Sequence, residues 1–168
     1  MCVWTLSTHE VVFSQKLPHI ATVLKWADQK KVGHYNAYET VVAIGSVLHQ
    51  GLFTYDPMRV QWSMQLKPYQ MPTSGGIKRS FNCVDISTDK TFVYVGTSAG
   101  ELMIYRRDTC VFRAIIPVCT NGVQDIVTLQ DDTVVGCGGD GTLFRLTGKD
   151  MTWQKIKEVL NASFQSIH

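Results

Sequence analysis

A chain of 168 residues with 45% hydrophobic and 18% charged residues has the balance of a globular fold with a core, not of a disordered segment. Sixteen Lys plus Arg against fourteen Asp plus Glu leave a net charge of +2, too weak a bias to name nucleic acid or a membrane as partner. Its apolar runs fall short of the roughly 18 residues a spanning helix needs, and MCVWTLSTHE lacks the features of a secretory leader, so a soluble intracellular protein is expected.

In chain order, Met1 to Leu6 is a short β-rich run with an aromatic at Trp4, and Thr8 to Phe13 is a second. Between Thr40 and Asp56 the sequence TVVAIGSVLHQGLFTYD joins two β-rich runs through a glycine turn and ends on Tyr55. Such a turn suits a hairpin, because glycine tolerates the positive φ required. VQWSMQL at Val60 to Leu66 follows as a further strand, and MQLKPYQMPTSGGI at Met64 to Ile77 reads as a long excursion. The residues from Trp26 to Tyr38 are expected to form a connection.

The same grammar then returns. FNCVDISTDK at Phe81 to Lys90 leads into the hairpin FVYVGTSAGELMIYR at Phe92 to Arg106 and the run VFRAII at Val111 to Ile116. VQDIVTLQDD at Val123 to Asp132 leads into TVVGCGGDGTLFRL at Thr133 to Leu146. ASFQSIH at Ala162 to His168 reads as one more opening strand.

Four short antiparallel strands per unit, repeated, make the blades of an all-β, WD40-type propeller. The position closing the third strand falls at Trp4, Tyr55, Tyr105 and Leu146, at intervals of 51, 50 and 41 residues. A standard repeat takes about 40 to 45, and longer intervals follow from inserted loops. The predicted organisation is a half blade over 1–13, blades near 20–66, 77–116 and 122–160, and a leading strand over 162–168. About three and a half blades make an incomplete propeller, expected to be aggregation-prone alone and to need the missing blades from the rest of a longer chain or from another subunit.

GCGGDG at Gly136 to Gly141 matches the GxGxxG dinucleotide fingerprint literally, but an alternating strand follows where that motif requires a helix, so a hairpin turn is predicted. GTSAG at Gly96 to Gly100 is read the same way, not as a nucleophile elbow. The five histidines lack metal-ligand spacing, and Cys2, Cys83, Cys110, Cys119 and Cys137 contain no CxxC pair. No catalytic residue, cofactor or metal is expected, and the chain reads as a non-enzyme.

What remains is protein contact. Lys30-Lys31 and Lys78-Arg79 are basic pairs that read by default as a solvated rim, and Trp26, Tyr35, Tyr38, Tyr69 and Trp153 are placed in or beside loops, where Trp and Tyr are favoured interface anchors, with core burial the default expectation for Trp26 and Trp153. The candidate protein-binding residues are therefore Lys30, Lys31, Tyr35, Tyr38, Tyr69, Lys78 and Arg79.

The segment GGIKRSFNCVDISTDKTFVYVGTSAGELMIYRRDT at Gly75 to Thr109, with NGVQDIVTLQDDTVVGCGGDGTLF at Asn121 to Phe144 and IKEVLNASFQSI at Ile156 to Ile167, resembles the cilia- and flagella-associated WD-repeat proteins of motile cilia. The shared features are the basic KR before a strand, the aromatic-rich strand into GTSAG, and the IKxxxL step. The resemblance implies a structural, non-catalytic microtubule inner protein of the axoneme. Its implied partners are tubulin, which presents an acidic surface, and other microtubule inner proteins. A general WD-repeat adaptor in another intracellular complex is the alternative.

Overall fold

The computed structural model describes residues 1–72 and 79–148, with the backbone of a strand at Gln154–Val159. The expected leading strand over 162–168, together with Trp153, Lys78 and Ile77, lies outside the described residues. All regular structure described is β, in antiparallel sheets, and the chain divides into two units, Met1–Pro68 and Tyr69–His168.

In the first unit, β1 (Cys2–Trp4) pairs with β2 (Val11–Ser14) as a two-stranded ribbon. A four-stranded sheet follows in chain order: β3 (Ala21–Val32), β4 (Tyr35–Ile44), β5 (Val47–Asp56) and β6 (Gln61–Pro68). The expected connection from Trp26 to Tyr38 is instead the end of a long hairpin. Val32 pairs with Tyr35 across the two-residue turn Gly33-His34, and Gly33 takes φ 62° as a type II′ turn requires at its first central position. Two bulges, at Ala21/Val23 and Trp26/Asp28, break the alternation that would have marked β3 as a strand. The excursion expected from Met64 is likewise shorter, since β6 runs on to Pro68 and Gln70 already donates a backbone hydrogen bond to Cys110.

The second unit holds two four-stranded sheets of short strands. One contains β7 (Phe81–Ile86), β8 (Phe92–Thr97), β9 (Glu101–Arg106) and β10 (Phe112–Pro117). The other contains β11 (Val123–Thr128), β12 (Val134–Gly138), β13 (Thr142–Thr147) and β14 (Gln154–Val159). Their facing side chains, among them Phe92, Tyr94, Ile104, Val123, Ile126 and Phe144, form a continuous buried core. Glycine sits where nothing larger fits: a Cβ on Gly96 would lie 2.4 Å from Cys83 Sγ and 2.7 Å from Val123 Cγ1.

Polar clasps tie these two sheets at their margins. Asp85 accepts the Thr128 amide at 2.6 Å, Asn82 donates to the Val123 carbonyl at 3.0 Å, and Asp132 accepts from the amide and hydroxyl of Thr88. Asp140 accepts the amide and hydroxyl of Thr120, both at 2.8 Å. The turns repeat too: Lys90 donates to Ser87 and Asp132 to Leu129, each from a left-handed backbone at φ 59° and 62°. GCGGDG closes β12 and opens strand β13 through Gly141 at φ 78°, so it is a hairpin turn. GTSAG turns β8 into β9, with Gly100 at φ 81° against the Cys119 carbonyl.

Candidate protein-interaction site

On one face of the β3–β6 sheet the strand period of two brings aromatic side chains into register across the strands. Tyr38 pairs directly with Phe53 and Tyr55 with Trp62. Phe53 and Trp62 stack with centroids 4.6 Å apart at 8°, while Trp26 meets Tyr38 edge-on at 6.0 Å. Tyr35, at the hairpin end, lies 5.3 Å from Tyr55. Phe13 of β2 packs edge-on against Phe53 at 5.5 Å, so the ribbon covers the β6 side of this face.

The β3 side is left open. Trp26 is 53% exposed, Leu24 52%, Trp4 59% and Leu6 89%, a grouping of large apolar side chains at water that marks contact surfaces. A cleft of about 520 Å³ lies between Trp4 and Leu6 on the ribbon and Trp26, Tyr38 and Phe53 on the sheet. A second hollow, of about 360 Å³, is lined by His34, Tyr35, Tyr38, Tyr55 and Trp62.

The hairpin also carries the basic pair, and Lys30, in register with Ala37, falls on the face opposite Tyr38. Lys30 Nζ bonds Glu39 Oε1 at 2.5 Å, half-exposed lysine against nearly buried carboxylate, so its charge is already matched. Lys31 and Tyr35 stand exposed. Thus Lys30, Lys31, Tyr35 and Tyr38 share one hairpin, with Trp26 and Trp62 as companions. Trp62 was legible only as a strand residue, because its role depends on the stack with Phe53.

The other sequence candidates do not join them. Tyr69 is 2% exposed, its ring 5.2 Å from that of Tyr105, so it is a core residue of the second unit rather than an exposed loop aromatic. Arg79 is 7% exposed and grips Glu101 through Nε at 2.6 Å and Nη2 at 3.3 Å. That hydrogen bond raises its pKa, and the guanidinium is a buried paired charge, not a solvated rim. Lys78 lies outside the described residues.

Burial pushes the Cys83 thiol up to about 12 and raises that of Cys137, which opposes the thiolate a nucleophile needs. Among the described residues no group of three or more His, Cys, Asp and Glu is placed to hold a metal ion, and no helix is long and apolar enough to cross a membrane. The arrangement can bury aromatic surface against a partner.

No protein-family model matches the chain, and no curated protein matches its sequence. The fold does match solved structures. A structure of U3-55K aligns at TM-score 0.60 and 11% identity over 92% of this chain and 43% of its own, and one of RRP9 WD40 repeats aligns at TM-score 0.60 and 11% identity over 92% and 42%. The chain thus spans less than half the length of either structure. At such identity the likeness speaks of fold alone, and with the successive four-stranded sheets it shows that the chain is built of WD40-type β-propeller blades.

Proposed function

We propose that this chain is part of a non-enzymatic scaffold, whose rigid blades hold the β3–β4 hairpin and its aromatic face against a protein partner. The observation that carries the reading is the exposed Trp26, with Tyr35 and Lys31 at the end of the same hairpin. Aromatics of this kind anchor interfaces, and neighbouring lysines speed encounter with an acidic surface. Strands fix their spacing without any moving part.

The resemblance of Gly75 to Thr109 and Asn121 to Phe144 to cilia- and flagella-associated protein 52 supports a particular setting. In it the protein is a microtubule inner protein, braced on the lumenal wall of axonemal doublets and touching tubulin and other inner proteins. A propeller can stabilise a repeating lattice there by position alone.

Co-sedimentation with salt-washed axonemes tests this reading. The protein is expected to stay in the pellet, and Lys31→Glu combined with Tyr35→Ala is expected to release it while leaving the β circular-dichroism spectrum intact. A folded double variant retained at wild-type level means that the hairpin is not the contact surface. If the wild-type protein itself washes out, the axonemal setting is wrong and the adaptor reading takes its place.

A further inference from the structure

The hollow at the end of the β3–β4 hairpin is built almost wholly of aromatic rings. His34, Tyr35, Asn36, Tyr38, Tyr55 and Trp62 line its volume of about 360 Å³, and none of them is aliphatic or carries a carboxylate. Register explains the gathering. Tyr55 pairs directly with Trp62, and Ala37 with Thr54, which brings the strand end at Asn36 beside Tyr55. Tyr38 reaches Trp62 at 6.2 Å, and Tyr35 closes the row against Tyr55 at 5.3 Å.

These rings meet at angles. Tyr35 and Tyr55 are tilted by 47°, Tyr55 and Trp62 by 61° and Tyr38 and Trp62 by 44°, so neighbours do not stack flat and form the panels of a bent wall. Phe53 stacks on one face of Trp62 at 4.6 Å, which leaves Trp62 its other face for the hollow. An aromatic face carries the negative part of the ring quadrupole, so a concave wall of several faces attracts a cation. The lining has no carboxylate, and that decides which cation. A lysine ammonium or an arginine guanidinium brings N–H donors that lose their water and find no charged acceptor there. A trimethylated lysine keeps the charge, has no N–H to satisfy and presents three methyl groups to the rings.

We propose that this hollow receives the side chain of a trimethylated lysine on a partner protein. Lys31 is in register with Asn36 and so shares its face beside the hollow, where it meets an acidic residue next to the modified lysine. The partner is an acidic segment anchored by its methylated lysine. A choline headgroup carries the same quaternary ammonium, but β6 ends its sheet, and a peptide chain can lie along that edge as a headgroup cannot. This inference deepens the reading of the hairpin as a protein contact and rests on it.

The test titrates the 168-residue protein, by calorimetry, with a short peptide holding one trimethyl-lysine between glutamates. That peptide is expected to bind about tenfold more tightly than the same peptide with unmodified lysine, or with the uncharged tert-butyl isostere of the trimethylammonium group. Tyr35→Leu, at the exposed hairpin end, is expected to weaken binding about tenfold with the β circular-dichroism spectrum unchanged, while Tyr35→Phe binds like the wild type. Equal binding of the lysine and trimethyl-lysine peptides overturns the proposal. So does equal binding of the tert-butyl peptide, which makes the hollow a site for apolar bulk, and so does full binding by a folded Tyr35→Leu variant. Sedimentation with phosphatidylcholine vesicles, without selectivity among the peptides, overturns it in favour of a lipid headgroup. If the peptides are not distinguished while Lys31→Glu with Tyr35→Ala still releases the protein from axonemes, the protein contact stands and only this inference falls.

Discussion

The two units use the same four-strand grammar for different ends. Strands β7–β10 are six residues each and β8 is buried along its whole length, while β3 and β4 run to twelve and ten residues and leave Leu24 and Trp26 at water. In the second unit the facing sheets share a core and fasten their margins with Asp85, Asn82, Asp132 and Asp140. In the first unit only the β6 side of the aromatic face is covered. The lesson is that blade architecture leaves the use of a face open: a face closed by its neighbour stabilises, and a face left open keeps its large apolar side chains at water.

The largest expected effect comes from cutting the closed face. Phe144 is 1% exposed within the shared core, and Phe144→Ala should lower unfolding free energy by about 3–5 kcal/mol in urea denaturation. Trp26→Ala removes a larger ring from the open face yet should change stability by only about 0.5 kcal/mol. Comparable losses for the two would erase the distinction between the units.

A smaller effect is expected from overfilling. Gly96→Ala drives a methyl into Cys83 Sγ and Val123 Cγ1, and it should cost about 1–3 kcal/mol because both neighbours belong to packed strands. Gly33→Ala at the open hairpin turn meets nothing within 4 Å, though its φ of 62° keeps a strain of about 1 kcal/mol there. A Gly96→Ala variant as stable as the wild type would mean that the two sheets can move apart without loss.

Below about pH 4, acid should act on a clasp of the second unit. Burial works to raise the Asp140 carboxyl, but hydrogen bonds from Thr142 and Thr120 outweigh it and hold the group well below the ordinary 3.8. A carboxyl depressed in the fold stabilises fully above its unfolded value, and that contribution is lost as pH falls through the lower folded value. Asp140→Asn should therefore flatten the decline of melting temperature below about pH 4. An unchanged acid limb would show that the Thr120 clasp contributes nothing to stability.

Much of the blade pattern was legible because alternation and glycine turns are local. FVYVGTSAGELMIYR carries both strands and the turn on its face, and GCGGDG could be refused as a nucleotide loop because TLFRL alternates. The β3–β4 hairpin was not legible as strands: its bulges shift the apolar residues off a strict period of two, and KK beside GH looks like a loop. Tyr69 and Arg79 misled for another reason. Their burial depends on Tyr105 and Glu101, residues 36 and 22 positions away, which no local pattern reports.

The smallest expected effect lies in the first unit and separates the two by pH. His49, on β5, holds Nδ1 3.1 Å from the Val47 carbonyl, and because a carbonyl only accepts, Nδ1 donates and carries the proton in the neutral ring. Partial burial lowers its pKa below the ordinary 6.5, against the opposing pull of that hydrogen bond. Protonation at Nε2 is thus easier in the unfolded chain than in the fold. The stabilisation is complete above pH 6.5 and is lost as pH falls through the depressed folded value. His49→Gln keeps an amide able to reach the Val47 carbonyl and removes the titration, so its melting temperature should decline less than that of the wild type between about pH 7 and 5. Hydrogen exchange read over the same interval should place the change in the amides of β4 and β5 and leave those of β8 and β9 as they were. If the second unit loosens in step, the two units unfold as one over this range, and the contrast between a closed and an open blade does not extend to their response to pH.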